Sequence, residues 1–236
     1  MSNTSPSEVY TNIIKDKKVI FVGPAPTLIK KNMGSWIDSF DVIARTNGSI
    51  FLTNRRDFKK DYGSRCDVLF SNVQFHRECG PFYNLIPMWK EKVNLKIINF
   101  KTIPQRFRDK YNELIPVRTI QHLEVELRKT IKGVLMGPIC IADLLSYKPE
   151  SLYITGFNFY VNKPHVFIPG DYREYYPDYL PERIRKKADI KNIGRIDPHD
   201  KYSNTKYIYD LYAKGLIDMD DTMKKLAADI IKGENI

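Results

Sequence analysis

The residues best suited to chemistry in this chain stand where short apolar runs break off. Val19-Ile20-Phe21-Val22 is a β-branched and aromatic run that stops at Gly23-Pro24-Ala25-Pro26, the pattern of a buried strand entering a tight, phosphate-facing turn. A second run, Asp41-Val42-Ile43-Ala44-Arg45, delivers Thr46-Asn47-Gly48, and a third, Cys66-Asp67-Val68-Leu69-Phe70, delivers Ser71-Asn72. Asparagine offers a donor and an acceptor on one side chain, which suits the edges of a base or a sugar, and it is equally a common turn residue. Asp218-Met219-Asp220-Asp221 has the look of a metal-binding Asp-x-Asp, although acidic residues that open a helix are ordinary partners of its dipole. The three cysteines, Cys66, Cys79 and Cys140, are odd in number and lack a C-x-x-C pair, so neither zinc nor dithiol chemistry is indicated and a reducing compartment fits.

Positioning these residues requires a βαβ opening. Thr27 is placed to cap a helix carrying Leu28 and Ile37, after which the second strand returns beside the first. In doubly wound sheets ligands lie beyond the carboxyl ends of the strands, so the Gly23 turn and Asn47 are expected to face one bound molecule. Farther on, residues 55–62 read as a charged connection, residues 79–89 as an aromatic surface loop and residues 95–100 as a strand. Residues 104–114 and 119–128 show helical spacing. The apolar segment from Gly133 reads as a buried helix with Pro138 in its first turn, preceded by Lys132. Leu152-Tyr153-Ile154-Thr155 then forms a strand ending at Gly156-Phe157-Asn158-Phe159-Tyr160. Residues 161–197, rich in proline and aromatics, read as a lid. Two helical patterns close the chain, the second from Asp218 with Met223, Leu226 and Ile230 on one face.

With 236 residues, the chain is long enough for one large α/β domain over residues 16–236, with residues 1–15 expected as a flexible tail. The expected architecture is a single Rossmann-like domain, its mostly parallel sheet flanked by helices. No run approaches the length needed to span a bilayer, and the polar amino terminus lacks the features of a secretory signal, so a soluble, cytoplasmic protein is expected. The formal net charge of +10 suits an anionic small substrate, an anionic or glycolipid surface, or a nucleic acid. A nucleic-acid motif is missing, and the basic cluster at residues 183–195 reads equally well as a solvated helix face.

The stretch VIFVGPAPTL...WIDSFDVIARTN resembles the large sialyl motif of the sialyltransferases, with its glycine turn and its arginine-x-asparagine after an IDSFDVV-like segment. GVLMGPICIADLLSYKPESLYITGFNFY resembles the small sialyl motif, and HDKYSNTKYIYDLY the downstream histidine segment in a form nearer the bacterial lipooligosaccharide enzymes. Pro24 stands where the family has an asparagine, and Lys132 where it has a serine or threonine. The cysteine pair that bridges the two motifs in the animal enzymes is missing; Val19 and Pro149 occupy roughly those places.

The resemblance implies a variant GT-A-like glycosyltransferase, metal-independent and without a cofactor, that moves sialic acid or a related ulosonic acid from a CMP-sugar to a glycan hydroxyl with inversion. It implies His199 as general base, since an imidazole titrates near neutral pH; a histidine following Pro198 could also simply cap the helix that begins there. It implies Tyr160 as a donor to the leaving phosphate, with Tyr176 faintly matching the animal enzymes' His-Tyr-Tyr motif. Gly23, Pro24, Ala25, Asn47, Asn72, Lys132, Gly133, Gly156, Phe157 and Asn158 are the matching positions around the nucleotide. Competing readings keep the fold with CMP-Kdo as donor, or keep nucleotide binding without transfer.

Overall fold

The computed structural model describes residues 4–54, 56–72, 82–159 and 200–233. Seven strands form one sheet: β1 (Lys18–Val22), β2 (Val42–Thr46), β3 (Val68–Ser71), β4 (Ile97–Phe100), β5 (Val117–Thr119), β6 (Ser151–Thr155) and β7 (Asp218–Met219). Their order is β5-β4-β3-β2-β1-β6-β7, and every pairing is parallel. The chain therefore steps outward from β1 to β5, then crosses back and continues on the other side of β1. That reversal puts a topological switch point between β1 and β6, where doubly wound sheets bind their ligands.

The sequence dictates this layering because the strands are apolar on both faces. Val19 and Phe21 enter a core shared with Tyr10, Ile139, Leu144, Ile208 and Met223. Ile20 and Val22 enter the opposite core with Ile37, Tyr62, Trp89 and Tyr111. Helices cover both faces: α1 (Pro6–Ile14), α2 (Gly34–Asp38), α3 (Arg56–Tyr62), α4 (Phe82–Val93), α5 (Gln105–Asn112), α6 (Gln121–Leu127), α7 (Met136–Ser146), α8 (Lys201–Ala213) and α9 (Asp221–Lys232).

Several expectations are corrected. The amino-terminal tail is a helix from Pro6: the Ser5 hydroxyl accepts from the Glu8 amide at 3.3 Å and the Glu8 carboxylate accepts from the Ser5 amide at 2.7 Å, a reciprocal capping box inside a stretch polar enough to resemble a tail. Its apolar pair Tyr10 and Ile14, one turn apart, is fully buried. Thr27 caps nothing; it lies within a 3-10 turn, Pro26–Leu28, and α2 begins only at Gly34. The connection at residues 55–62 is mostly helix, and the aromatic loop gives way to α4, which tolerates Pro87 in its interior. Val117–Thr119 forms β5, so the helix expected over residues 119–128 begins only at Gln121, and Asp218 begins a short strand rather than the last helix. The expected lid lies outside the described residues. No helix among the described residues is long and apolar enough to cross a membrane.

Candidate functional site

At the switch point the turns after β1 and β6 press together backbone to backbone. The Gly23 amide donates to the Thr155 carbonyl and the Ala25 amide to the Gly156 carbonyl, each at 2.8 Å. A methyl group on Gly23 would meet the Gly156 oxygen at 2.4 Å and the Phe157 ring at 2.8 Å, so only glycine fits. Gly156 itself has φ +74°, the left-handed region in which side chains are strained. From the other side, the Tyr62 hydroxyl donates to the Ala25 carbonyl at 2.5 Å. The turn is thus held from two strands and a helix.

This corrects the expectation that the turn faces a phosphate. Its two N–H groups are spent on β6, Pro24 has none to give, and Gly23, Pro24 and Ala25 are all buried. Backbone amides without an intrahelical acceptor lie at the start of α7. Three helix starts, those of α7, α8 and α9, differ in their caps. Asp200 caps α8 by accepting from the Ser203 amide, and Asp220 caps α9 by accepting from the Met223 amide while also accepting from the Thr155 hydroxyl at 2.8 Å. The residue before α7, Leu135, supplies no side-chain cap. The Met136 and Gly137 amides precede the first intrahelical bond, and Pro138 falls where a missing N–H costs nothing. Gly137 is half-buried and the Phe157 ring stands 3.9 Å from where its Cβ would be. An uncapped helix start beside an aromatic face, with exposed Lys132 and half-buried Gly133 just upstream, is suited to an anionic group attached to a flat ring.

Of the other expected residues, Asn47 and Asn72 are brought together: the Asn47 Oδ1 accepts from the Asn72 amide at 3.0 Å. Asn47 has φ +47°, which asparagine tolerates better than most residues. It therefore links the β2 and β3 tips. Asn158 is buried and Phe157 half-buried, with the Phe157 ring 5.0 Å from that of Phe21. Arg45, part of the arginine-x-asparagine pattern, points into the core: it is 0% exposed and donates to the Tyr62 carbonyl at 2.6 Å and the Arg65 carbonyl at 2.7 Å, where it meets the negative end of α3. Tyr160, Tyr176 and His199 lie outside the described residues, as does the basic cluster.

Sequence reasoning missed Tyr62, Thr155 and Asn204. Asn204 on α8 reaches the loop before α7, accepting from the Leu135 amide at 2.9 Å; its identity was visible in the histidine segment, but nothing local shows where its amide goes. The acidic run near the carboxyl terminus is engaged: Asp220 caps, while Asp218 and Asp221 pair with Lys224. Among the described residues no group of three or more His, Cys, Asp or Glu could hold a metal ion. Cys66 and Cys140 are buried, and burial pushes both thiols above their ordinary range, which leaves them protonated and poor nucleophiles. Beneath the sheet's other end, Arg118 and Asp143 form a bidentate pair at 3.1 and 3.2 Å; Tyr147 and the face of Tyr10 complete it, a structural knot that ties α1 to α7.

Compared with known proteins, the chain matches no protein-family model and no curated protein sequence.

Proposed function

We propose that this chain is a CMP-sugar-dependent inverting glycosyltransferase with a variant GT-A-like domain, transferring sialic acid or a related ulosonic acid to a glycan hydroxyl without a metal. The observation that carries the reading is the division of labour at the switch point. The β1 turn, where Rossmann domains cradle a pyrophosphate, has no amide to offer, whereas the uncapped start of α7 can hold one phosphate beside Phe157. A nucleoside monophosphate ester, with its single phosphate, matches that pattern. In the reaction His199 takes the proton of the acceptor hydroxyl, whose oxygen bonds to the anomeric carbon as the bond from that carbon to the CMP oxygen breaks, with inversion. The departing phosphate carries only about one further negative charge, which amides at α7 and the hydroxyls of Tyr160 and Tyr176 would stabilise as donors aimed where charge grows. Asn47, Asn72, Gly156, Phe157 and Asn158 surround the cytidine, and Lys132 adds a long-range positive charge. The basic balance of the chain favours an acidic donor.

The test is thermal stabilisation with CMP, UDP, GDP and S-adenosylmethionine in parallel, with and without EDTA. CMP should raise the melting temperature, unchanged by EDTA, because a ligand that binds only the native state stabilises it in proportion to the logarithm of its saturation. Manganese-dependent stabilisation by UDP or GDP would sink the proposal. Stabilisation by CMP without transfer from a CMP-sugar would favour a nucleotide-binding protein that lacks transferase activity.

A further inference from the structure

The Arg118–Asp143 pair forms one wall of a cavity of about 330 Å³ at the β5 edge of the sheet. Arg118 is 7% exposed and Asp143 1%, and the two neutralise each other: Nη1 and Nη2 of the guanidinium each donate to a carboxylate oxygen. The same nitrogens also donate to the Asn99 Oδ1 and the Tyr147 hydroxyl. That wall is rigid and its charge is spent.

The rest of the lining is not. Arg108 of α5, His122 of α6, Ser7 of α1 and Thr119 of β5 border the same cavity, brought together from separate parts of the chain. Arg108 is half-buried, and its guanidinium donates to the Gln105 side-chain oxygen, a neutral partner that leaves the positive charge uncompensated. Within the described residues no hydrogen bond engages the Ser7 and Thr119 hydroxyls or the His122 ring. Asp143 is the one carboxylate among the described residues that line the cavity; Asp109, next to Arg108 in the chain, lies outside the lining and accepts from the Gln105 amide nitrogen. The cavity therefore offers one free cation and several neutral donors, with no free acid to repel an anion.

We propose that this cavity is a binding site for a small phosphate monoester, separate from the switch point. It lies against β5, four strands removed from β1, and needs nothing from the nucleotide site. A concave site with a few convergent polar groups is what a small ligand requires. A guanidinium fork matches two phosphate oxygens at once, and the third terminal oxygen is left for the imidazole N–H and the hydroxyls. A carboxylate, with two oxygens, would leave some of these donors without a partner.

The experiment titrates the full chain with ribose 5-phosphate, ribose, inorganic phosphate and acetate at fixed pH and ionic strength. The His122 Cε1 proton is followed by NMR and assigned through His122→Gln. Ribose 5-phosphate and inorganic phosphate should each shift this resonance saturably, ribose should not, and acetate should bind at least about tenfold more weakly. Arg108→Gln should weaken binding of the ester at least about tenfold. Arg108→Lys should weaken it less, because it keeps the charge and loses the fork. Circular dichroism checks each variant; should Arg108→Gln fail to fold, Arg108→Lys and Ser7→Ala, each expected to bind more weakly than the wild type, decide. A His122 resonance that ignores both phosphates, or answers acetate as strongly, overturns the site. So does a folded Arg108→Gln chain that binds the ester as tightly as the wild type. A response to inorganic phosphate without one to ribose 5-phosphate overturns the assignment to an ester.

Discussion

The Ala25 amide donates to the Gly156 carbonyl at 2.8 Å, so the turns after the first and sixth strands share a hydrogen bond instead of leaving a cleft between them. The contact explains why both turns carry glycine.

Gly23→Ala should therefore unfold more readily than the wild type. The new methyl would stand 2.4 Å from the Gly156 oxygen, and a backbone carbonyl in a bonded turn cannot swing aside as a flexible side chain would. Overpacking of this kind costs about 1–3 kcal/mol. Urea denaturation should show a lower midpoint at unchanged slope, and an unaltered midpoint would mean the two turns are less tightly joined than their hydrogen bond implies.

Arg45→Met should destabilise the fold although it places an apolar side chain in a buried position. The guanidinium is the partner of the Tyr62 and Arg65 carbonyls, and burial lowers its pKa from the usual arginine value although Asp38 and Asp67 nearby work the other way. A thioether removes this donor from both carbonyls, at a cost of about 1–3 kcal/mol. Tyr62 also anchors the β1 turn through its hydroxyl, so the damage should reach the site: CMP stabilisation should weaken along with the melting temperature. Equal CMP affinity in a destabilised variant would separate the two.

What could be read from the sequence follows from the range of the interactions involved. Strand tips were legible because a parallel strand buried on both faces is a local signal; the run at residues 19–22 and the glycine after it need no partner to be seen. The α7 helix was legible for the same reason, including Pro138 in its first turn. α1 was misread because its capping box and its Tyr10 and Ile14 pair sit in a polar stretch whose burial depends on Arg118 and Tyr147, more than 100 positions away. β5 was hidden because three residues carry no period and gain strand character only by pairing with β4. The direction of the Gly23 amides was beyond reach: the turn's sequence is that of a phosphate loop, and only the approach of Gly156 decides where its donors go.

Glu124 gives a pH dependence with a defined sign. Burial works to raise its pKa, but bonds from Lys101 at 2.8 Å and Arg128 at 2.6 Å outweigh this and lower it below the usual carboxylate value. A depressed folded-state pKa means the contribution is fully present above pH 4.5 and is lost as the pH falls through the folded value. Glu124→Gln should therefore lower stability at pH 7 by about 1 kcal/mol and should remove part of the wild type's acid sensitivity. Parallel stability curves for the two proteins between neutral and acid pH would show that the carboxylate contributes nothing through ionisation.

His199→Ala tests the proposed chemistry most directly. The residue that follows it, Asp200, begins α8, and Asn204 joins that helix to the loop before α7. The nucleotide in the proposed site rests on the tips of β2, β3 and β6 and on the α7 amides, none of which needs the imidazole. Removing a general base typically lowers the rate by about 10²–10⁴-fold. Transfer from a CMP-sugar to an acceptor glycan should fall by that factor, while CMP should stabilise the variant as it does the wild type. A wild-type transfer rate in the variant would place the base elsewhere. Loss of CMP binding together with transfer would make His199 a support for the start of α8, acting beside the Asp200 cap rather than on the acceptor.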